Sequence, residues 1–400
     1  MNANERLHAL DALRAVAMLL GVAGHAMVPY MTEVVALWPA NDTSSSALFD
    51  VLFSLIRFGR MPIFFMIAGF FACMLLARYS WHEFMRHRLS RIGLPLLLGM
   101  VTIVPLCNLI SIWGLRTQRA PIEDPWSFFL SFMDWYTSQP VLHFLKPWHL
   151  WFLEYLLVFY TAAMFWIAIA TWRPLAWLGH SITGAWAWCL RFGVAAPVLA
   201  LVTFPLLFLQ YGPYVDGAGG PFPSPRILAF YAIFFAAGWM LYRRRDVLPA
   251  LTRHWIWIPL VIIGVVAGVI TFSMFPTFTE MPALSRLVSA ITTAALVLGI
   301  TGAFLCLYQR PNRVMRYISD SAYWVYLIHL PLVIAIAVLL QPFHLTAYAK
   351  FALVMLISTP IMYLSYQLMV RYTWIGVMLN GPRLRWRKLE AMRGATAGSK

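Results

Sequence analysis

Residues 9–31 read ALDALRAVAMLLGVAGHAMVPYM. From about Ala12 to Met31 the run is long and apolar enough to cross a bilayer, which takes about 20 residues. Yet Asp11, Arg14 and His25 lie in or beside it. An ionisable residue in a span costs about 2.5–3.5 kcal/mol on insertion scales, so these three need a reason. Arg14 and His25 are about 16 Å apart along a helix rising about 1.5 Å per residue, close to three turns, and share one face. The run lacks a clear cleavage site and carries internal charge, so it reads as a retained first helix rather than a signal peptide.

The remainder is also built for a membrane. Of 400 residues, 61% are hydrophobic and 11% charged, with 18 Trp, 28 Phe and 17 Tyr. The mean hydropathy is +0.73. A soluble domain averages about half apolar and about a quarter charged, which excludes an ordinary cytosolic enzyme, a disordered chain and a secreted disulfide scaffold. The 30 Lys and Arg against 15 Asp and Glu give +15. With no basic domain outside the spans, that excess is a topology signal, and no nucleic-acid partner is expected. Cys73, Cys107, Cys189 and Cys306 sit in apolar runs without C-x-x-C spacing. They read as small core hydrophobes, with neither a metal site nor a disulfide framework expected.

Apolar runs over roughly 12–31, 58–78, 92–115, 148–171, 192–210, 226–242, 255–275, 286–308, 319–340 and 350–372 predict about ten spanning helices. The fold class is an all-α, polytopic integral membrane helix bundle. Arginines gather in alternate connections: Arg78, Arg86, Arg88 and Arg91; Arg243, Arg244, Arg245 and Arg253; Arg310, Arg313 and Arg316; and the C-terminal tail. Loops 32–48 and 211–225 have no Lys or Arg, and in 116–146 Arg116, Arg119 and Lys146 are offset by Glu123, Asp124 and Asp134. By the positive-inside rule both termini face the cytoplasm. Residues 1–375 form one membrane domain, and 376–400 a basic cytoplasmic tail attracted to anionic lipid. The outer segment 126–136, rich in Trp, Phe and Tyr, reads as interfacial or as part of a cover over an outward-facing site. No internal repeat of the transporter kind is visible.

Further polar residues fall where a membrane disfavours them. Arg88 and Arg91, in RHRLSRIGLP, share a helical face, and guanidinium forks suit phosphates. Arg60 lies in the outer half of the second span and needs a partner. His149 opens the fourth span in PWHLWFLEYL, with Glu154 further inward, and Tyr323, Tyr326 and His329 share a face of the ninth. Each has a plainer reading: Arg14 snorkelling to lipid phosphate, histidines satisfied by packing, arginines marking the inside, aromatics anchoring the interface. Together, His25, His149 and His329 lie between midplane and outer surface while arginines crowd the inner side. That polarity suits an enzyme using a cytosolic activated donor, or a transporter of an anionic solute.

At this point the residues resemble a known family, the membrane acyltransferase family 3. ALDALRAVAMLLGVAGHAMVPYM, FGRMPIFFMIAGFF, RLSR before Gly-Leu-Pro, WHLWFL and YWVYLIHLP occur in the family's order, over about residues 7–375. FFMIAGFFACMLLARY followed by RLSRIGLPLL is most similar to the glucan biosynthesis protein C group, which is associated with succinylation of osmoregulated periplasmic glucans. The resemblance implies a multi-pass protein of the bacterial inner membrane. It also implies O-acyl transfer, succinyl or acetyl, from cytosolic acyl-CoA to a periplasmic or envelope carbohydrate hydroxyl. Acyl-CoA is then a co-substrate, and no cofactor is permanently bound. Arg14, His25, Arg88 and Arg91 take the family's essential positions. Two departures stand out: Glu154 is alone where many relatives carry a Glu pair, and Ala68-Gly69-Phe70 replaces a frequent Ser-Gly-Phe. The chain ends soon after the tenth span, so the appended periplasmic domain of some relatives is not expected.

On that resemblance His25 is the candidate base, with an ordinary imidazole pKa of about 6.5. It either deprotonates the sugar hydroxyl or carries the acyl group itself. Arg88 and Arg91 bind CoA phosphates, and Arg14 binds phosphate or orients the donor. Arg60, His149, Tyr326 and His329 are candidate supporting residues, and segment 126–136 could stack on sugar rings. No metal is required. The alternatives are a transporter or exporter of an anionic or sugar solute, a structural subunit of an envelope polysaccharide system, and O-acetylation of another envelope polysaccharide.

Overall fold

A computed structural model describes residues 8–33, 38–117, 124–140, 145–170, 172–212, 214–215, 217–273, 281–310 and 312–381. Among these there is no strand. The chain runs through α1 (His8–Met27), α2 (Ala47–Leu76), α3 (Trp81–Arg88), α4 (Leu94–Thr117), α5 (Pro125–Ser138), α6 (Trp151–Ile169) and α7 (Arg173–Phe192). It continues through α8 (Ala195–Leu207), α9 (Pro225–Arg243), α10 (His254–Ser273), α11 (Pro282–Leu307), α12 (Arg313–Leu340) and α13 (Ala347–Ser365). Among the described residues 9 helical stretches are long and apolar enough to cross a membrane, so the chain is an all-α polytopic membrane bundle.

Two spans differ from expectation. The second helix begins at Ala47, capped by Ser46, rather than near residue 58. Its first turns carry Asp50, Arg57 and Arg60, which hide it from a hydropathy reading. The expected fifth span is the shorter helix α8, preceded by α7, which fills a stretch expected to be a loop. Gly193, at φ 76°, turns the chain between them, a left-handed conformation that glycine adopts at no steric cost. Helix α7 ends beside the connection after α9, where Arg191 pairs with Asp246 at 2.8 Å. Helix α8 ends at the opposite face of the bundle, where Arg286 Nε donates to the Leu207 carbonyl at 3.0 Å.

Burial separates centre from periphery. In α11, 67% of the spanning window is buried, against 22% in α10, so α11 is central and α10 faces lipid. Helices α1 and α12 pack along each other, as do α2 and α9. The α2–α9 seam is closed by a reciprocal glycine pair. A Cβ on Gly69 would overlap the Phe235 carbonyl, and one on Gly238 would overlap the Met66 carbonyl. Small residues permit such backbone contact between helices in a membrane. Helices α3 and α4 are joined through a single π turn, Leu89–Gly93, that contains Arg91; such turns widen a helix locally and recur at functional sites.

Asp11 and Asn380 line one cavity, so both ends of the described chain meet at one end of the bundle, with Arg14, Arg88 and Arg91. The opposite end holds residues 38–46, 209–212, 217–226 and 341–350. The aromatic segment expected at the interface is helix α5, capped by Asp124; only its Phe132 is buried, and Trp126, Phe129, Leu130 and Met133 are exposed. The basic tail beyond Gly381, and the loop charges Arg119 and Glu123, lie outside the described residues.

Candidate active site

Three histidines from three helical segments converge. The His25 ring on α1 lies 5.3 Å from that of His329 on α12, and His329 lies 5.0 Å from His149, measured between ring centres. They line one chamber of about 580 Å³ with Arg60, Tyr326, Trp38, Trp148 and Trp151. Trp38 lies parallel to His25, 6.1 Å away at an interplanar angle of 4°. His25 Nδ1 is buried and has no hydrogen-bond partner among the described residues.

The arginine-rich end opens into a second chamber of about 620 Å³, lined by Arg14, Arg88, Arg91, Tyr160, Tyr323 and Ser319 among others. Arg14 donates to Ser319 Oγ at 2.8 Å and lies 3.5 Å from Asp11. Arg88 sits over the rings of Tyr160 and Phe84, 5.0 and 5.4 Å from their centres. The Arg91 carbonyl accepts the Tyr323 hydroxyl at 2.7 Å, which ties the π turn to α12. This chamber shares Met18, Phe64, Phe152 and Tyr326 with the histidine chamber, so the two abut end to end.

A third chamber of about 220 Å³ lies on the far side of His25. It shares His25, Arg60, Met61, Trp151 and Gly217 with the histidine chamber and is lined in addition by Arg57, Tyr214 and Tyr231. Arg57 donates to the Val215 carbonyl at 2.8 Å and lies 4.1 Å from the centre of the Tyr214 ring. Arg60 lines both chambers, and its buried Nε has no hydrogen-bond partner among the described residues. No ion pair joins Arg60 to a carboxylate among the described residues. It fits because position 21 is glycine: a Cβ there would come within 2.6 Å of Arg60 Nη1.

The sequence candidates therefore sort into two connected groups. His25, His149, His329, Arg60 and Tyr326 share the middle chamber, while Arg14, Arg88 and Arg91 share the arginine chamber with Tyr326 on the common wall. Ala68 lines the arginine chamber; Glu154 and the residues of α5 line none of the three. Trp38, Ser319 and the strained Trp148 went unnoticed in the sequence. The first lies in a loop with no periodicity, and the last is visible only as a backbone φ of 49°. Among the described residues no group of three or more His, Cys, Asp or Glu is placed to hold a metal ion.

A bundle whose interior sets an arginine chamber against a histidine chamber has the build of a membrane enzyme. The comparisons with known proteins agree. Residues 7–367 match the family model described as an acyltransferase domain. The chain belongs to the acyltransferase-3 family. Among curated proteins it is similar to glucans biosynthesis protein C of Escherichia coli strain K12, 33% identical over 163 residues, 41% of this chain and 39% of that protein. It is also similar to glucans biosynthesis protein C of Salmonella gallinarum, 31% identical over 169 residues, 42% of this chain and 40% of that one. The match spans about two-fifths of each relative's length. No solved structure matches the chain.

Proposed function

We propose that the chain moves an acyl group from acyl-CoA, held at the arginine-rich end, to a carbohydrate hydroxyl reaching His25 from the opposite end. The carrying observation is the series of three chambers with arginines at one end and His25 where the second and third meet. The positive-inside rule puts the arginine end in the cytosol and the other in the periplasm of a bacterial inner membrane. Arg14, Arg88 and Arg91 bind the CoA phosphates through guanidinium forks. The pantetheine arm threads between Met18, Phe64, Phe152 and Tyr326, and brings the thioester to His25.

Transfer is direct in this reading. His25 takes the hydroxyl proton as the sugar oxygen bonds to the thioester carbon. The tetrahedral adduct collapses by breaking the C–S bond, and the imidazolium returns its proton to the CoA sulfur. An ester and a free thiol result, with no net proton change. Arg60 supplies positive charge in the same chamber. A buried cation with no carboxylate partner among the described residues favours an acyl group that ends in a carboxylate, so succinyl over acetyl. The relatives' name supports a glucan as acceptor.

The test compares periplasmic glucans by mass spectrometry from cells with the wild-type protein, with His25→Ala, and without the protein. A succinyl or acetyl mass increment present only with wild type supports the reading and names the acyl group. Loss of one general base lowers turnover by about 10²–10⁴, so a purified, folded His25→Ala variant near wild-type turnover overturns the assignment of His25. Glucans that are unmodified and retained in the cytoplasm would point to solute export instead.

A further inference from the structure

Helix α12 contains Pro331 in its interior. Proline has no backbone N–H, so the carbonyl four residues earlier, that of Leu327, loses its helical donor. That carbonyl lies 3.1 Å from Nε2 of His149. A carbonyl oxygen only accepts, so His149 carries its proton on Nε2, and the neutral ring keeps its lone pair on Nδ1. Nδ1 is buried and has no hydrogen-bond partner among the described residues, on a residue only 6% exposed that lines the histidine chamber. The same logic fixes its neighbour: His329 Nδ1 donates to the Tyr326 carbonyl at 2.7 Å, which leaves its lone pair on Nε2.

The holding of His149 is elaborate for a packing residue. The Tyr326 hydroxyl donates to the His149 carbonyl at 2.7 Å, so α12 grips the residue at both backbone and ring. The preceding Trp148 is kept in the left-handed region at φ 49°, with its Nε1 donating to Asn108 Oδ1 at 2.9 Å. Backbone strain of about 1–3 kcal/mol persists only where the surroundings over-determine it. A buried acceptor with no donor costs a further amount of similar size. Both costs make sense if a ligand supplies the donor.

We propose that His149 orients the acceptor. Its Nδ1 accepts a hydrogen bond from a hydroxyl neighbouring the one that reacts at His25, and the acceptor is therefore a sugar ring with adjacent free hydroxyls. Both His25 and His149 lie against His329 and line the same chamber, so a ligand at one is within reach of the other. The proposal rests on the acyltransferase reading for its kinetics but not for its tautomer.

The test has two arms. Full-length protein carrying ¹⁵N-histidine is examined in bilayers by solid-state NMR, with His149 assigned by its loss in His149→Gln. The Nε2–H tautomer is expected, and Pro331→Ala, which restores a donor to Leu327, should release part of the population to the other tautomer. A wild-type His149 protonated on Nδ1 overturns the proposal whatever the enzyme does. The second arm measures transfer from succinyl-CoA to a glucose oligosaccharide. Glutamine can keep the donor to Leu327 but lacks an acceptor at the Nδ1 position. His149→Gln should therefore raise the acceptor KM by about tenfold, the worth of one hydrogen bond, and leave the donor KM unchanged. An unchanged acceptor KM reduces His149 to a structural clamp. Absence of transfer by wild type with this pair strikes the acyltransferase reading and leaves the tautomer arm to decide the role of His149.

Discussion

Lys350 Nζ lies 2.6 Å from Asp42 Oδ2, with both side chains only 2% exposed. The ammonium also donates to the Gln341 carbonyl at 3.2 Å, and Gln341 Nε2 donates to the Asn41 carbonyl at 3.1 Å. The pair thus fastens residues 38–46 to the start of α13. That segment carries Trp38, which lies over His25.

Removing one partner of a buried pair leaves an uncompensated charge, at a cost of about 3–5 kcal/mol. Lys350→Met should lower the unfolding temperature of the detergent-solubilised protein steeply, and Lys350→Met with Asp42→Asn should recover most of the loss. A single variant as stable as wild type would show that the pair holds nothing.

The arginine chamber should read out as CoA affinity. Charge-assisted hydrogen bonds contribute about 1.5–3 kcal/mol each. Replacing Arg88 and Arg91 together with alanine should weaken CoA binding by more than about a hundredfold, measured by calorimetric titration. Unchanged affinity would return both arginines to topology signals.

Arg60 should set acyl preference. Arg60→Met is expected to lower the ratio of succinyl to acetyl transfer by at least about tenfold, the effect of one lost charge-assisted bond. Gly21→Ala should reproduce the shift in part, because the new methyl displaces the guanidinium without removing it. Competition between the two donors in one reaction measures the ratio directly.

At the arginine-rich end, Arg244 first and then Arg191 hold the Asp246 carboxyl below the usual carboxylate range. A carboxylate with a lowered folded pKa stabilises the protein fully above the unfolded value, about 3.9. That contribution is lost as pH falls through the folded value. Wild type should therefore exceed Asp246→Asn in thermal stability at neutral pH, with the gap closing in acid. The gap is small, because these side chains are half-exposed and screened.

The bundle was legible because a membrane demands long apolar runs, and most helices fall within a few residues of the hydropathy reading. The failures have local causes. Helix α2 starts before its apolar run because its outer turns carry Asp50 and Arg57, whose partners come from loops, and Arg60 with its buried Nε. Helix α7 escaped because Arg173, His180 and Arg191 break the hydropathy of an amphipathic helix. The depth of the three histidines could be read from their positions along each span, but their contact depends on how α1 and α12 rotate. Lys350 could have been flagged as a lysine inside a span, but nothing near it in sequence names Asp42. The role of Pro331 becomes plain only once His149 is seen to occupy the place of its missing N–H.

The wall shared by the arginine and histidine chambers has a consequence beyond substrate shape. Phe64 and Phe152 lie 5.5 Å apart and Phe152 and Tyr326 6.1 Å apart, ring centre to ring centre, and Met18 completes the collar. The Tyr326 hydroxyl is already engaged by His149. Polar pockets reaching inward from both faces would short-circuit an energised membrane if a file of water joined them. The collar interrupts that file with thioether and aromatic surface, which gives a proton no foothold. Under the proposed function, the pantetheine arm would fill the same bore during turnover. Phe152→Ala is therefore expected to dissipate a pH gradient across proteoliposomes before it slows the enzyme.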